Sequence, residues 1–346
     1  MSTPLATNAF THPSATAKFS EEDKEKANMT IIFKKYKDML ATLPKENGWF
    51  TDVYMYQGFW YTSMSILSVE TIMALQDTFK ALPSDIYLAT MPKSGTTWLK
   101  ALMFALVNRN QYKKNDLLDH PLLVSNPHVC IPFIEIEIFK NTPTYGDVYS
   151  PRLFSTHIPY TSLPQSILDS GCRLVYLCRN PKDILVSTFH FANTIRDKSH
   201  RPLTFEEAFE SFSKGIMPYV GPYWDHVKGY HKVSLEHPET VLFLTYEDLK
   251  IDTVNIVKRL AKFLGYPFTE KEEAEGVVQG IIELCTFENL SEVGKHGKFR
   301  EDIPNDAFFR KGKVGDWTNH LTNEMSHSID EITKEKFNGM NLSFPY

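Results

Sequence analysis

The chain has 346 residues, 42% of them hydrophobic and 23% charged, and its 37 Lys plus Arg against 42 Asp plus Glu leave a formal charge of −5. That composition excludes a disordered chain, which cannot bury enough apolar surface to offset its entropy, and argues against a protein that coats nucleic acid with a basic face. A small anionic ligand stays open, because it needs only a few local cations. The longest unbroken apolar run, Ala101–Val107, falls far below the roughly 20 residues of a membrane-spanning helix, so no membrane partner is expected. The four cysteines, Cys130, Cys172, Cys178 and Cys285, have no CxxC or Cys/His zinc spacing and read as buried free thiols, with no metal site expected.

Residues 1–28 are polar, Ser/Thr/Ala-rich at first and closing on the charge run Glu21–Lys26. They read as a flexible leader without the apolar stretch of a signal peptide or the arginines of a transit peptide, which makes a cytosolic setting the expectation. At about 150 residues per domain the length would allow two, a prior that α/β folds often override. Apolar spacing near 3.6 predicts a helix over Ile31–Leu43, stopped by Pro44. Tyr54–Tyr61 is densely aromatic.

Strand-like runs followed by a polar loop and a helix then recur. Asp85–Thr90 leads through Pro92-Lys93-Ser94-Gly95-Thr96-Thr97-Trp98 into an apolar helix, Leu99–Val107. Arg152–Thr156 ends at His157, and Arg173–Cys178 leads through Arg179-Asn180-Pro181-Lys182-Asp183 into the helical Ile184–Ala192. Val241–Thr245 leads through Tyr246-Glu247-Asp248 to a helix over Thr253–Leu264. Continuous apolar strands alternating with helices indicate an α/β fold with a central parallel sheet covered by helices on both faces. Ligands bind at the carboxyl ends of such strands, so the four loops are expected on one rim.

The first loop has the chemistry of a phosphate cradle. Gly95 lets backbone approach an anion, the helix start offers free amides and a positive dipole end, Lys93 adds charge, and Ser94, Thr96 and Thr97 add hydroxyls. It is P-loop-like without being GxxxxGK[ST], since the lysine precedes the glycine. Arg179 leaves a strand end, and Ser187 follows eight positions later on the next helix. Together they can form a second cationic patch. Arg310-Lys311-Gly312 supplies two further cations beside a flexible residue. His157, at a strand end on the same rim, suits proton removal near neutral pH.

PKSGTTW, RNPKD and RKGKVGDW together resemble the soluble sulfotransferases, the plant cytosolic branch in particular, over about Trp49 to Phe344. The resemblance implies a single α/β domain over residues 29–346, using 3′-phosphoadenylyl sulfate as sulfuryl donor and a hydroxylated small plant metabolite as acceptor. It places Arg179 and Ser187 on the donor's 3′-phosphate, with Arg310, Lys311 and Gly312 folding over it. Lys93 then faces the departing 5′-phosphate, and Ser187 holds Lys93 back until the donor is in place. Trp98 and Tyr246 resemble adenine contacts, and Cys285–Glu288 an adenosine-side stretch. His157, in the segment Thr156-His157-Ile158-Pro159, corresponds to the catalytic base. Animal members often carry lysine two positions before that histidine, where this chain has Ser155.

Phe59, Trp60, Phe133, Phe189, Tyr219 and Trp224 are the candidates for an aromatic acceptor pocket. A phenolic or flavonoid acceptor is preferred, with steroid, hydroxyjasmonate and desulfoglucosinolate acceptors open. Thr318–Glu324 lacks the dimer motif of animal members, which makes a monomer the expectation and leaves a homodimer open. An ATP-dependent small-molecule kinase and a non-catalytic nucleotide binder are the competing readings.

Overall fold

The computed structural model describes residues 21–63, 65–112, 120–140, 151–300 and 303–344. Four parallel strands form its central sheet, in the order β5-β4-β6-β8: β4 (Ile86–Thr90), β5 (Leu153–Thr156), β6 (Arg173–Cys178) and β8 (Val241–Thr245). The strands lie where the apolar runs place them because both faces of the sheet are covered, so successive side chains enter two different cores. Ile86, Leu88, Val175, Leu177, Leu242 and Leu244 pack with the helices Thr96–Asn108 and Thr253–Leu264. Tyr87, Ala89, Phe154, Leu174, Tyr176 and Cys178 pack on the other side with the helices Pro181–Ile195 and Tyr223–Glu236. Cys172, Cys178 and Cys285 are buried, Cys130 is partly so, and all four are free thiols.

The sequence reading contains no second sheet, yet there is one. β1 (Lys45–Asn47), β2 (Asp52–Tyr56), β3 (Phe59–Thr62) and β7 (Val220–Gly221) form an antiparallel sheet in the order β1-β2-β3-β7. The aromatic run Tyr54–Tyr61 is therefore a hairpin, with Tyr56 opposite Phe59. Its two-residue turn needs positive φ at both Gln57 (51°) and Gly58 (86°), the twist that suits a tight hairpin.

The leader boundary also requires correction. A helix spans Glu21–Leu40, so residues 21–28 are its opening turns, while residues 1–20 lie outside the described part. Alternating acidic and basic residues there are good helix formers, and tertiary ties hold them. Asn28 Nδ2 donates to the carbonyl of Phe139 at 2.8 Å, and Arg300 lies 3.9 Å from Glu25. No helix among the described residues is long and apolar enough to cross a membrane.

Candidate active site

The carboxyl ends of β4, β5, β6 and β8 open onto one cavity of about 470 Å³, lined by Lys93, His157, Arg179 and Tyr246 from the four loops that follow them. Ser187, Arg310, Lys311 and Gly312 line it as well.

Gly95 begins the helix Thr96–Asn108 at φ 108°, and no side chain caps the helix start. A Cβ at Gly95 would lie 2.6 Å from a ring carbon of Tyr246, so only glycine lets the loop pass under that ring. Tyr246 meets Trp98 edge-on, with ring centroids 5.7 Å apart. Thr96, Thr97 and Trp98 line the cavity. Lys93, itself at φ 71°, rests its Nζ 3.9 Å from the centroid of Phe191. Burial, with Arg179 and Arg310 nearby, pushes its ammonium down to about 7.

His157 is held from two sides. Its Nδ1 lies 2.7 Å from the carbonyl oxygen of Thr90, which can only accept, so Nδ1 carries the proton and Nε2 keeps its lone pair. Its backbone N–H donates to Glu135 Oε1 at 2.6 Å. Burial pushes the imidazole down to about 3, against the pull of the Thr90 carbonyl. The ring is therefore a neutral acceptor at physiological pH.

The second cationic patch forms where the helix Pro181–Ile195 starts. Arg179 donates to the carbonyl of Lys313 at 2.6 Å and lies 3.3 Å from Asp183, with its guanidinium 4.5 Å from the Tyr246 ring centroid. Its Nε is buried without a partner, as is Nε of Arg310. Asp183 accepts from the backbone N–H groups of Gly315 and Trp317 at 2.9 and 3.1 Å, which fixes the basic segment against this helix. Asp316 accepts from Arg310 at 2.5 Å and from Lys311 at 2.7 Å. Burial alone would raise the Asp316 carboxyl, but hydrogen bonds from Lys311, Arg310 and Asn319 hold it well below the usual carboxylate range. Among the described residues, no cluster of three or more His, Cys, Asp or Glu could hold a metal ion.

The sulfotransferase domain model matches residues 83–341, which include the four strand-end loops that line this cavity. The chain belongs to the sulfotransferase family. Cytosolic sulfotransferase 15 of Arabidopsis thaliana is 44% identical over 315 residues, covering 89% of this chain and 87% of that protein. Flavonol 4′-sulfotransferase of Flaveria chlorifolia is 45% identical over 320 residues, covering 90% and 97%. An ensemble-refined crystal structure of an Arabidopsis thaliana sulphotransferase superposes with a TM-score of 0.72 at 37% identity, covering 96% of this chain and 100% of that one. Mouse sulfotransferase SULT7A1 complexed with PAP gives a TM-score of 0.62 at 26% identity, covering 84% and 95%. The central parallel sheet with helices on both faces is thus the sulfotransferase fold.

Several expected residues of this sulfotransferase stand elsewhere. Ser94 does not line the cavity; it is fully buried and its Oγ has no partner, because the tight turn before Gly95 sends it inward. Of the six aromatics, Phe133 and Tyr219 line the cavity. Phe59 meets His226 edge-on in the core, Trp60 belongs to the second sheet, and Phe189 packs on Phe205. Trp224 is fully buried and donates its indole N–H to Thr333. Thr286, Phe287 and Glu288 line the cavity, while Cys285 lies in the core behind them. The sequence reading missed His128, Glu135 and Phe191, which also line it.

Proposed function

We propose that this sulfotransferase moves a sulfuryl group from 3′-phosphoadenylyl sulfate to a hydroxyl of a small planar plant metabolite, phenolic by preference, with His157 as general base. The observation that carries the reading is the state of His157: its Nδ1–H is committed to Thr90, so its Nε2 lone pair belongs to the cavity that Lys93, Arg179 and Arg310 also line. The residues fit the donor. Two guanidinium Nε–H groups, on Arg179 and Arg310, are buried without acceptors, the pattern expected where an anionic group completes the hydrogen bonding.

The donor supplies the sulfuryl group and departs as adenosine 3′,5′-bisphosphate. Arg179, Ser187, Arg310, Lys311 and the backbone at Gly312 hold the 3′-phosphate. Lys93, Thr96, Thr97 and the amides after Gly95 hold the 5′-phosphate, with Lys93 neutralising the charge that grows as the sulfuryl group leaves. Trp98 and Tyr246 offer aromatic faces to the adenine. His157 Nε2 takes the acceptor's hydroxyl proton, and Phe133 and Tyr219 give that acceptor flat apolar walls. Relatives named cytosolic sulfotransferases and a flavonol 4′-sulfotransferase support the cytosolic setting and the phenolic preference.

The test is transfer of labelled sulfate to a panel of hydroxylated plant metabolites, without added metal, by wild type and His157→Ala. The expected result is labelled product from wild type alone, with a loss in the variant of about 10²–10⁴ in rate and unchanged bisphosphate binding. Wild-type turnover in His157→Ala overturns the base. Neither product nor bisphosphate binding in the wild type overturns the reaction.

A further inference from the structure

His157 stands just past the last paired residue of an outer strand. β5 lies at the end of the central sheet, and its ladder with β4 closes at Thr156, opposite Ala89. The peptide groups that follow find their partners outside the ladder. On the amino side, the His157 N–H donates to Glu135. On the carboxyl side, the His157 carbonyl oxygen lies 3.1 Å from Nε2 of His226, and the Ile158 carbonyl accepts from the Tyr230 hydroxyl at 2.8 Å. His226 and Tyr230 sit one turn apart on the helix Tyr223–Glu236, and both are fully buried.

A carbonyl oxygen can only accept, so Nε2 of His226 carries that ring's proton. Its Nδ1 keeps a lone pair, which accepts from the Tyr176 hydroxyl at 2.8 Å. Burial pushes His226 down to about 4, so near pH 7 the ring is neutral and both of its nitrogens are engaged. Its neighbours are aromatic: the ring centroids of Tyr230, Tyr176 and Phe59 lie 5.5, 5.6 and 6.4 Å away. A polar ring in such surroundings is costly unless its polar atoms are paired. An apolar side chain at this position would avoid that cost, but it would leave the His157 carbonyl without this donor.

We propose that His226 is a positioning residue for sulfuryl transfer: by donating its Nε2–H to the His157 carbonyl, it fixes the peptide plane from which the His157 ring reaches the cavity. This assignment rests on the reading of His157 as base. The ring's own bond to the Thr90 carbonyl sets its tilt, and the two flanking peptide groups set where the ring starts. Glu135 holds one of those groups and His226 the other, so the base is aimed by hydrogen bonds to three separate elements: β4, the short helix Ile134–Glu137 and the helix Tyr223–Glu236. Such aim matters because a misplacement of about 1 Å at a reacting group can cost on the order of 10²-fold in rate.

The experiment measures kcat for labelled sulfate transfer and adenosine 3′,5′-bisphosphate binding in the full chain and in His226→Phe, His226→Gln, His157→Ala and the double variant His157→Ala with His226→Phe. His226→Phe keeps a ring among its aromatic neighbours and is expected to lose about tenfold or more in kcat. Its bisphosphate affinity stays within about twofold of wild type. His226→Gln, whose amide N–H takes the place of Nε2–H, recovers most of the loss. In the His157→Ala background, His226→Phe costs nothing further, because a positioning residue acts only through the group it positions. An undiminished extra loss in the double variant, or wild-type kcat in His226→Phe, overturns the proposal while the loss in His157→Ala leaves the base intact. Full turnover in His157→Ala overturns both. Should His226→Phe fail to fold, His226→Gln is compared with His226→Asn, whose shorter amide takes the place of Nδ1 and not of Nε2. Equal kcat in those two sinks the proposal.

Discussion

At the scale of single residues, the cavity is built from groups whose charge depends on what shares the space with them. Lys93 is the clearest case, because burial and two nearby guanidiniums bring its ammonium down to about 7. A lowered value means that the proton is lost as pH rises through that range, and a phosphate beside Lys93 restores it. Binding of adenosine 3′,5′-bisphosphate at pH 8 is therefore expected to take up a proton. Calorimetry in two buffers of different ionisation heat reads that uptake, and Lys93→Met is expected to lose it along with about tenfold in affinity. Heats independent of buffer would rule this out. That the Lys93–Trp98 loop reaches the cavity was legible in the sequence because glycine, lysine and hydroxyls between a strand and a helix have few other uses. That Lys100 is fully buried was not. It immediately precedes the longest apolar run of the chain, where a lone lysine passes for the exposed stripe of an amphipathic helix. Only burial on every side distinguishes it. His128 and Glu135 reach the cavity from short helices, Pro127–Cys130 and Ile134–Glu137, too brief for sequence periodicity to reveal.

At the scale of elements, Asp183 joins two parts of the chain that are far apart in sequence. It accepts from Gly315 and Trp317 while lying beside Arg179, so the helix start and the basic segment are set by one carboxylate. Asp183→Asn removes its charge and one of its acceptor oxygens. The expected loss is about 1–3 kcal/mol of stability together with weaker bisphosphate binding, read by denaturant unfolding and by titration. An unchanged midpoint would show that the clamp carries no energy. Among the elements, the four parallel strands were readable because burial on both faces leaves continuous apolar runs. The hairpin of β2 and β3 was not, since Gln57-Gly58 is a weak turn signal and the aromatics on both strands blur the alternation. Likewise, the charged start of the first helix resembled a leader because its ties, Asn28 to Phe139 and Glu25 to Arg300, reach far along the chain.

At the scale of the whole molecule, the carboxyl edge of the parallel sheet brings Lys93, His157, Arg179 and Tyr246 to one cavity. That convergence was predictable from parallel topology alone, whereas the aromatic lining of the cavity was not. Aromatic residues that line a cavity and those that fill a core have the same composition, and four of the six candidates proved to lie elsewhere. The segment Thr318–Glu324 is engaged within the chain. Thr318 Oγ1 donates to the carbonyl of Gly315 at 2.9 Å, and Thr322 caps the helix Asn323–Lys336. Light scattering is accordingly expected to give a single chain of 39.8 kDa, and twice that mass would contradict the expectation.

Asp316 gives the cavity a counterion of its own. With Arg310 and Lys311 already partnered by this carboxylate, phosphate arrives as a rival and not as the first anion to find bare charge. A singly charged ion such as chloride offers those cations little that Asp316 does not already provide. A doubly charged phosphate ester offers more. On the proposed reading of the donor site, discrimination against small anions is thus a matter of competition within the chain.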